Sequence, residues 1–168
     1  MNTQYQDWLI RDWQPGDRQI AADVIFSVLR EYGLGCEPVG ADQDVVQVEQ
    51  AYWQRGGEFW VVEQAGRIVG TAGYYPIDRS ENAVEIRKMY LLPEVRGKGL
   101  GRFLLNTLEQ AIAAKGFQTI WLETATVLKE AVNLYERSGY QPGTTVETSR
   151  CDRVYFKSVS MSGLVSDP

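Results

Sequence analysis

The spacing of apolar residues changes along the chain between a helical and a strand-like period, which predicts a mixture of helices and strands. Three- and four-residue spacing, as at Val24, Val28 and Leu29, is typical of one face of an amphipathic helix. Such spacing predicts helices near residues 17–32, 44–55, 99–115 and 128–137. Aromatic and β-branched runs predict strands near residues 9–13, 59–63, 68–75, 83–92, 119–123, 140–147 and 153–159. The predicted order is β-α-α-β-β-β-α-β-α-β-β.

The order of elements is not interrupted by an internal repeat, a linker or a low-complexity segment. A chain of 168 residues suits one domain of ordinary size with a substantial hydrophobic core. The sequence therefore predicts a single mixed α/β domain over residues 1–168. The last residues, about 162–168, are expected to form a frayed tail.

Composition narrows the possible functions. A formal net charge of −5 argues against a nucleic-acid partner, which requires a basic surface. No apolar run reaches the ~18–20 residues that span a bilayer, and the polar N-terminus lacks a signal-peptide pattern. We therefore expect a cytoplasmic protein without a membrane partner. The absence of histidine excludes a Ser-His-Asp triad, a Cys-His dyad and a histidine-based metal site, and the two isolated cysteines cannot form a zinc site, so no metal is expected.

The clearest local motif lies between the predicted strand 83–92 and the helix that follows it. It reads Arg96-Gly97-Lys98-Gly99-Leu100-Gly101-Arg102. The first turn of a helix has backbone N–H groups without intrahelical partners, and glycines let a phosphate approach them closely. The glycine spacing differs from that of the nucleotide P-loop and of the dinucleotide fingerprint. The residues alone therefore predict an anion site at a helix start, formed by backbone amides and three cations.

The segment Arg96-x-x-Gly99-x-Gly101 resembles the R/Q-x-x-G-x-G/A pyrophosphate motif of the GNAT superfamily of acyl-CoA-dependent N-acetyltransferases. Three further segments are similar to this superfamily: its fourth strand, the end of its fifth strand, and its last helix with the strand that follows. They are Val84–Pro93, Leu122–Thr124 and Ala131–Tyr140. The resemblance implies a GNAT-like central, mostly antiparallel twisted sheet of about seven strands flanked by four helices.

The resemblance also implies a reaction: direct transfer of an acetyl group from acetyl-CoA to a primary amine of a small molecule or amino-acid derivative, within a ternary complex. It implies that Met89, Tyr90 and Leu91 hydrogen-bond the pantetheine arm through their backbone. It places the pyrophosphate on Arg96 to Arg102 and Asn133 near the cofactor. On this basis Gly99→Val is expected to abolish CoA binding, by placing a side chain where the pyrophosphate lies.

Two residues are the catalytic candidates. Tyr135 matches the tyrosine of the family's A-x-x-L-Y-E segment, whose hydroxyl can protonate the leaving thiolate; alternatively it is a core aromatic of a short helix. Glu85 resembles a glutamate that acts as the base in some members; alternatively it forms an ion pair with Arg87 or with a neighbouring strand. Period-two alternation predicts that Glu85 shares one strand face with Arg87, Met89 and Leu91. Cys151 could accept an acyl group, but without an activating partner it is better interpreted as inert.

The resemblance implies an acceptor site formed by the first two helices, their loop and the later strands, and the adjoining hairpin lies next to these parts. Acidic and aromatic residues there would suit a cationic amine, although most are equally explained as solvated charges and core aromatics. They are Glu37, Asp42, Asp44, Glu49, Tyr52, Trp53, Trp60, Tyr74 and Tyr75. Two alternatives stay open: acetylation of a protein's lysine or N-terminus, and a non-catalytic acyl-CoA sensor. The expected assembly is a monomer or a homodimer.

Overall fold

Eight strands form one sheet within residues 1–160, the part of the chain that this computed structural model describes. The predicted tail at about residues 162–168 lies outside the described residues. Across the sheet the strand order is β1-β2-β3-β4-β5-β6-β8-β7, and every neighbouring pair is antiparallel except β5 and β6. The strands are β1 (Asn2–Tyr5), β2 (Trp8–Asp12), β3 (Glu58–Gln64), β4 (Arg67–Ile77), β5 (Ala83–Leu91), β6 (Thr119–Thr124), β7 (Gln141–Pro142) and β8 (Arg153–Ser158).

Helices cover both faces of this sheet. The five α-helices are α1 (Arg18–Glu31), α2 (Gln43–Val46), α3 (Val48–Ala51), α4 (Leu100–Ala114) and α5 (Lys129–Arg137). Residues of α4 and α5 bury their apolar side chains in one core against the sheet, and residues of α1, α2 and α3 do so in a second core. Short 3₁₀ turns lie at Pro15–Asp17, Trp53–Arg55 and Pro93–Val95. None of the helices in the described range has the length and hydropathy to cross a bilayer.

The predicted fold class is confirmed, with differences in three elements. The polar strand β1 was not predicted, because it forms by pairing with β2 at the sheet edge rather than by burying an apolar face. The helix predicted at 44–55 is divided into α2, α3 and a 3₁₀ turn, with Gln47 outside helical geometry (φ −124°, ψ 50°). The strand predicted at 140–147 shortens to β7, which ends at Pro142, a residue without an N–H to continue the ladder.

A β-bulge interrupts β5 and corrects one prediction. Thr71 pairs with Tyr90 and Gly73 with Arg87, so two residues of β5 face one residue of β4. Lys88, in the bulge, has a φ of +53°. The extra residue reverses the alternation: Met89 and Leu91 pack on the core of α4 and α5, while the Arg87 side chain contacts Tyr75 of the other core. The expectation that Glu85 shares a face with Met89 and Leu91 is therefore wrong.

The parallel strands β5 and β6 separate after a short paired stretch. Their register runs from Ala83 opposite Thr119 to Ile86 opposite Leu122. Beyond Ile86, no strand among the described residues pairs with this edge of β5. The separation begins just before the bulge and leaves an opening in the middle of the sheet.

Candidate active site

A cleft of about 800 Å³ occupies the opening between β5 and β6. The second half of β5, the start of α4, the end of β6 and α5 form its walls, and the end of α1 and the loop before β8 close its other side. Its lining contains most of the predicted site residues. These are Glu85, Met89, Tyr90, Leu91, Arg96, Gly97, Gly99, Gly101, Arg102, Asn133 and Tyr135.

The start of α4 presents free backbone donors to this cleft. Gly97 and Gly99 have φ values of +71° and +83°, and α4 begins at Leu100. Phe103 is the first residue whose N–H donates to the preceding turn, at 3.0 Å from Gly99 O. Within residues 1–160, the N–H groups from Gly97 to Arg102 donate to no acceptor of the chain. These donors and the positive end of the helix dipole can hold an anion here.

The three cations of this segment have different surroundings. Arg96 binds both carboxylate oxygens of Glu31, at 2.7 and 2.9 Å, and donates from Nε to Leu91 O at 2.8 Å. Lys98 donates to Glu94 O at 3.0 Å, and its side chain does not line the cleft. Arg102 is exposed at the cleft and has no ion pair within the described residues. Arg102 is thus the cation best able to meet a bound anion.

The glycines differ in what a side chain would meet. A Cβ at Gly101 would lie 3.6 Å from Leu134 and 3.7 Å from Leu91, which line the cleft. Gly99 has a left-handed φ of +83°, and a Cβ there would lie 2.6 Å from the Tyr5 hydroxyl, so a valine would strain the loop and press on Tyr5 rather than fill the binding space. Loss of CoA binding in Gly99→Val would therefore come from distortion of the loop, and not from a side chain in the space of the pyrophosphate. Leu100 contributes only its backbone, because its side chain is buried in the core.

The bulge sets the edge of β5 that faces the cleft. The Lys88 carbonyl accepts a hydrogen bond of 2.7 Å from the buried Thr71 hydroxyl, and Leu92 N donates to Val69 O. These contacts hold the strand against β4 on both sides of Met89 and Tyr90. The opposite edge is unpaired by any strand of the described chain, so its polar groups are available to an extended ligand.

Tyr135 lies on α5 and lines the cleft with only 6% of its surface exposed. Burial, with smaller contributions from Tyr90 and Cys151, raises its pKa well above the ordinary value for tyrosine. The hydroxyl therefore stays protonated at neutral pH and can act as a donor. Burial also raises the pKa of Cys151 to about 11, which disfavours the thiolate that acyl transfer through this residue would need.

Glu85 lines the cleft before the bulge. Burial raises the pKa of its carboxyl group, and the charge of Glu123 adds to this, although Arg87 opposes it. The predicted contact with Arg87 exists, at 3.7 Å between Nη1 and Oε2. The carboxylate accepts no hydrogen bond within residues 1–160, whereas Arg87 donates to Tyr75 at 2.9 Å and to Ala41 O at 3.2 Å. Glu85 is thus a weakly paired carboxylate with a raised pKa.

The loop before β8 contacts the loop between α1 and α2 beside the bulge. In the loop before β8, Arg150 donates to both carboxylate oxygens of the fully buried Asp42 and, at 3.1 Å, to Gly35 O. Hydrogen bonds from Arg150 and the charge of Lys88 outweigh burial and hold the pKa of Asp42 well below its usual range. Glu123 anchors the same loop by accepting from the N–H groups of Glu147 and Thr148, at 2.6 and 2.8 Å.

The acidic and aromatic residues expected on the acceptor side do not line the cleft. Tyr52, Trp60 and Tyr74 are fully buried in the two cores, as their alternative interpretation held. Sequence reasoning did not predict roles for three residues that the fold brings to the cleft: Lys88, Glu123 and Arg150. A buried lysine in a strand gives no local signal of its partner, and Asp42 is 46 residues away in sequence. No cluster of metal-ligating side chains is present in residues 1–160.

The fold and the cleft together define an acyl-CoA-dependent acetyltransferase. The chain belongs to the acetyltransferase (GNAT) family, whose model matches residues 23–140. It is 43% identical over 129 residues to the uncharacterized N-acetyltransferase YjgM of Escherichia coli, an alignment that covers 74% of this chain and 77% of that protein. The chain is also similar to animal N-acetyltransferases. The probable N-acetyltransferase camello of Xenopus tropicalis is 30% identical over 100 residues, which cover 59% of this chain and 46% of that protein.

Solved structures agree with this fold. The acetyltransferase of Streptococcus agalactiae superposes with a TM-score of 0.82 at 24% identity, covering 92% of this chain and 100% of that one. The spermidine N-acetyltransferase of Vibrio cholerae, in complex with CoA and spermine, has a TM-score of 0.69 at 18% identity, over 92% of this chain and 97% of that one.

Proposed function

We propose that the protein transfers an acetyl group from acetyl-CoA directly to the primary amine of a small molecule or amino-acid derivative. One observation supports this most: the free N–H groups at the start of α4, the unpaired edge of β5 and the Tyr135 hydroxyl all lie in the same cleft. Acetyl-CoA would supply an activated thioester. The chain would supply binding, orientation and proton transfer.

The donor end of the cleft fits the parts of CoA. Backbone amides of residues 97–102 and the guanidinium of Arg102 match a pyrophosphate. The narrow space at Gly101, between Leu91 and Leu134, suits the thin pantetheine arm, which the backbone of Met89 to Leu91 would hydrogen-bond. Arg96 would act differently, by fixing the end of α1 to this loop through Glu31.

The acceptor end of the cleft favours a small cationic amine. The contact of Arg150 with Asp42 and Gly35 O joins two loops across this end, which argues against a long open groove for a peptide. The cations near it, Arg87 and Arg150, already have carboxylate partners, whereas Glu85 is weakly paired. An ammonium group entering beside Glu85 would supply the missing partner. The Vibrio cholerae enzyme indicates that the same fold can hold a polyamine with CoA.

Glu85 and Tyr135 would divide the proton transfers. An alkylamine has a pKa of ~10.4 and enters mostly as ammonium, so a base must remove a proton before attack. Glu85, whose carboxylate is largely buried and weakly paired, can take that proton directly or through water. Tyr135, held protonated by burial, can donate its proton to the departing thiolate. The nitrogen would lose its second proton as the tetrahedral intermediate collapses, and that proton would restore the Tyr135 hydroxyl through water. Glu85 would then hold the one net proton that the reaction releases, without histidine.

The test is release of free thiol from acetyl-CoA with a panel of polyamines, aminoacyl compounds and short lysine peptides. We expect turnover with at least one small amine and little with peptides. Preference for a peptide would replace the proposed acceptor class, and CoA binding without turnover on any amine would favour a sensor.

Tyr135→Phe tests the proposed acid. We expect kcat to fall ~10²-fold while the Kd for CoA, measured by calorimetry, stays nearly constant, because only a positioned proton donor is lost. Tyr140→Phe is the matched control: its ring packs against that of Tyr135, but it does not line the cleft. Normal turnover of Tyr135→Phe would remove the residue from the reaction.

A further inference from the structure

Lys88 occupies an uncommon position in the sheet. It is a non-glycine residue at φ +53°, in a region that costs free energy for a side chain with a Cβ. It sits in the bulge that reverses the alternation of β5 immediately before Met89 and Tyr90. Such a conformation persists only where surrounding contacts hold it.

The side chain of Lys88 has those contacts. Its side chain is 3% exposed, and Nζ lies 2.7 Å from Asp42 Oδ1, 3.2 Å from Ala41 O and 3.4 Å from Asp44 Oδ1. All three acceptors come from the loop between α1 and α2 and from α2 itself. On the backbone, the Thr71 hydroxyl holds the Lys88 carbonyl at 2.7 Å. The residue is thus fixed at its ammonium end by one segment and at its carbonyl by another.

We infer that Lys88 is a positioning residue: its ion pair with Asp42 holds the bulge in the left-handed conformation that directs the Met89–Leu91 edge toward the acetyl group. Because Asp42 also binds Arg150, the same carboxylate fixes the loop over the acceptor end. One buried carboxylate therefore aligns the donor-binding edge with the acceptor loops. This inference rests on the proposed binding of acetyl-CoA along β5.

A pair of substitutions separates the backbone role of Lys88 from its charge. Lys88→Met and Lys88→Gly both remove the ammonium, but glycine adopts φ +53° without strain whereas methionine does not. For Lys88→Met we expect kcat/KM for acetyl-CoA to fall ~10- to 100-fold, since a small misplacement of reacting groups has effects of that size. For Lys88→Gly we expect most of this loss to be restored. Lys115→Met, which removes a lysine paired with Glu58, is the matched control.

Calorimetry with CoA and thermal melts accompany the kinetics. Restoration by glycine, with both variants folded and similarly destabilised, supports the positioning role, because a merely structural ion pair would affect both variants equally. Equal losses in the two variants, or no loss in Lys88→Met, would overturn it. If the unsubstituted protein does not bind CoA, the proposed donor site itself fails; if it binds and only the glycine comparison fails, this inference alone is wrong.

Discussion

The two ends of the cleft are built in different ways. The donor end consists of consecutive residues, 97–102, that present backbone N–H groups at the start of one helix. The acceptor end consists of side chains from distant segments that meet at Asp42, which binds Lys88 and Arg150 from 46 and 108 residues away. The proposed donor end therefore depends on local geometry, while the proposed acceptor end depends on tertiary contacts that can vary without changing the start of α4.

The largest effect is expected at the donor end, with Gly101→Leu. A leucine side chain would fill the space between Leu91 and Leu134 and exclude the pantetheine arm. We expect the Kd for CoA to rise at least ~100-fold, about 2.7 kcal/mol, by calorimetry. Gln110→Leu adds the same side chain at an exposed position of α4 outside the cleft and should bind normally. Unchanged affinity in a folded Gly101→Leu protein would show that CoA binds elsewhere.

A smaller effect is expected from a substitution of Glu85, between the two ends of the cleft, and it should change kcat rather than the affinity for CoA. Glu85→Gln should lower kcat ~10- to 100-fold with the Kd for CoA retained, because a base is lost. In the unsubstituted protein, activity should fall as pH drops through the raised pKa of Glu85, and this acidic limb should disappear in the variant. A variant that keeps both the rate and the acidic limb would place the base elsewhere.

The effect of the same substitution on stability has a definite sign. The pKa of Glu85 is raised in the folded state, so its contribution to stability is present at low pH and is lost as pH rises through the folded pKa. Glutamine stays neutral and avoids that loss. Urea unfolding at neutral pH should therefore show Glu85→Gln to be no less stable than the unsubstituted protein, which separates lost catalysis from lost folding.

The smallest effect on the affinity for CoA is expected from Arg150→Ala. Asp42 would keep Lys88 but lose its guanidinium partner, costing about 1–3 kcal/mol of unfolding free energy. With the loops no longer joined, KM for a small amine should rise about 10-fold and longer amines should be accepted relatively better, while the Kd for CoA stays within about 2-fold. Arg153→Ala, which removes a partly exposed arginine of β8 that does not line the cleft, is the control. Unchanged selectivity for amine length would mean that this contact does not close the acceptor end.

The same contrast explains what the sequence could predict. Glycine spacing and helix periodicity act over a few residues, so the start of α4 and most strands followed from the sequence, whereas a place for Tyr135 beside the cofactor was implied only by the family resemblance. The bulge at Lys88 did not, because two-residue alternation carries no sign of an extra residue opposite β4. The partners of Arg96 also could not be predicted: its bond to Glu31 depends on α1 packing beside the loop, 65 residues away in sequence.

Because of the bulge, the number of residues in β5 determines which face of the sheet each of its side chains occupies. Strand β5 has nine residues, one more than the stretch of β4 that it faces. Removal of any one residue between Arg87 and Tyr90 would restore regular pairing and rotate part of the strand onto the opposite face. A deletion here would remove the bulge itself, whereas a substitution at Lys88 removes only the ion pair that holds it, so a deletion scan tests the number of residues separately from their side chains.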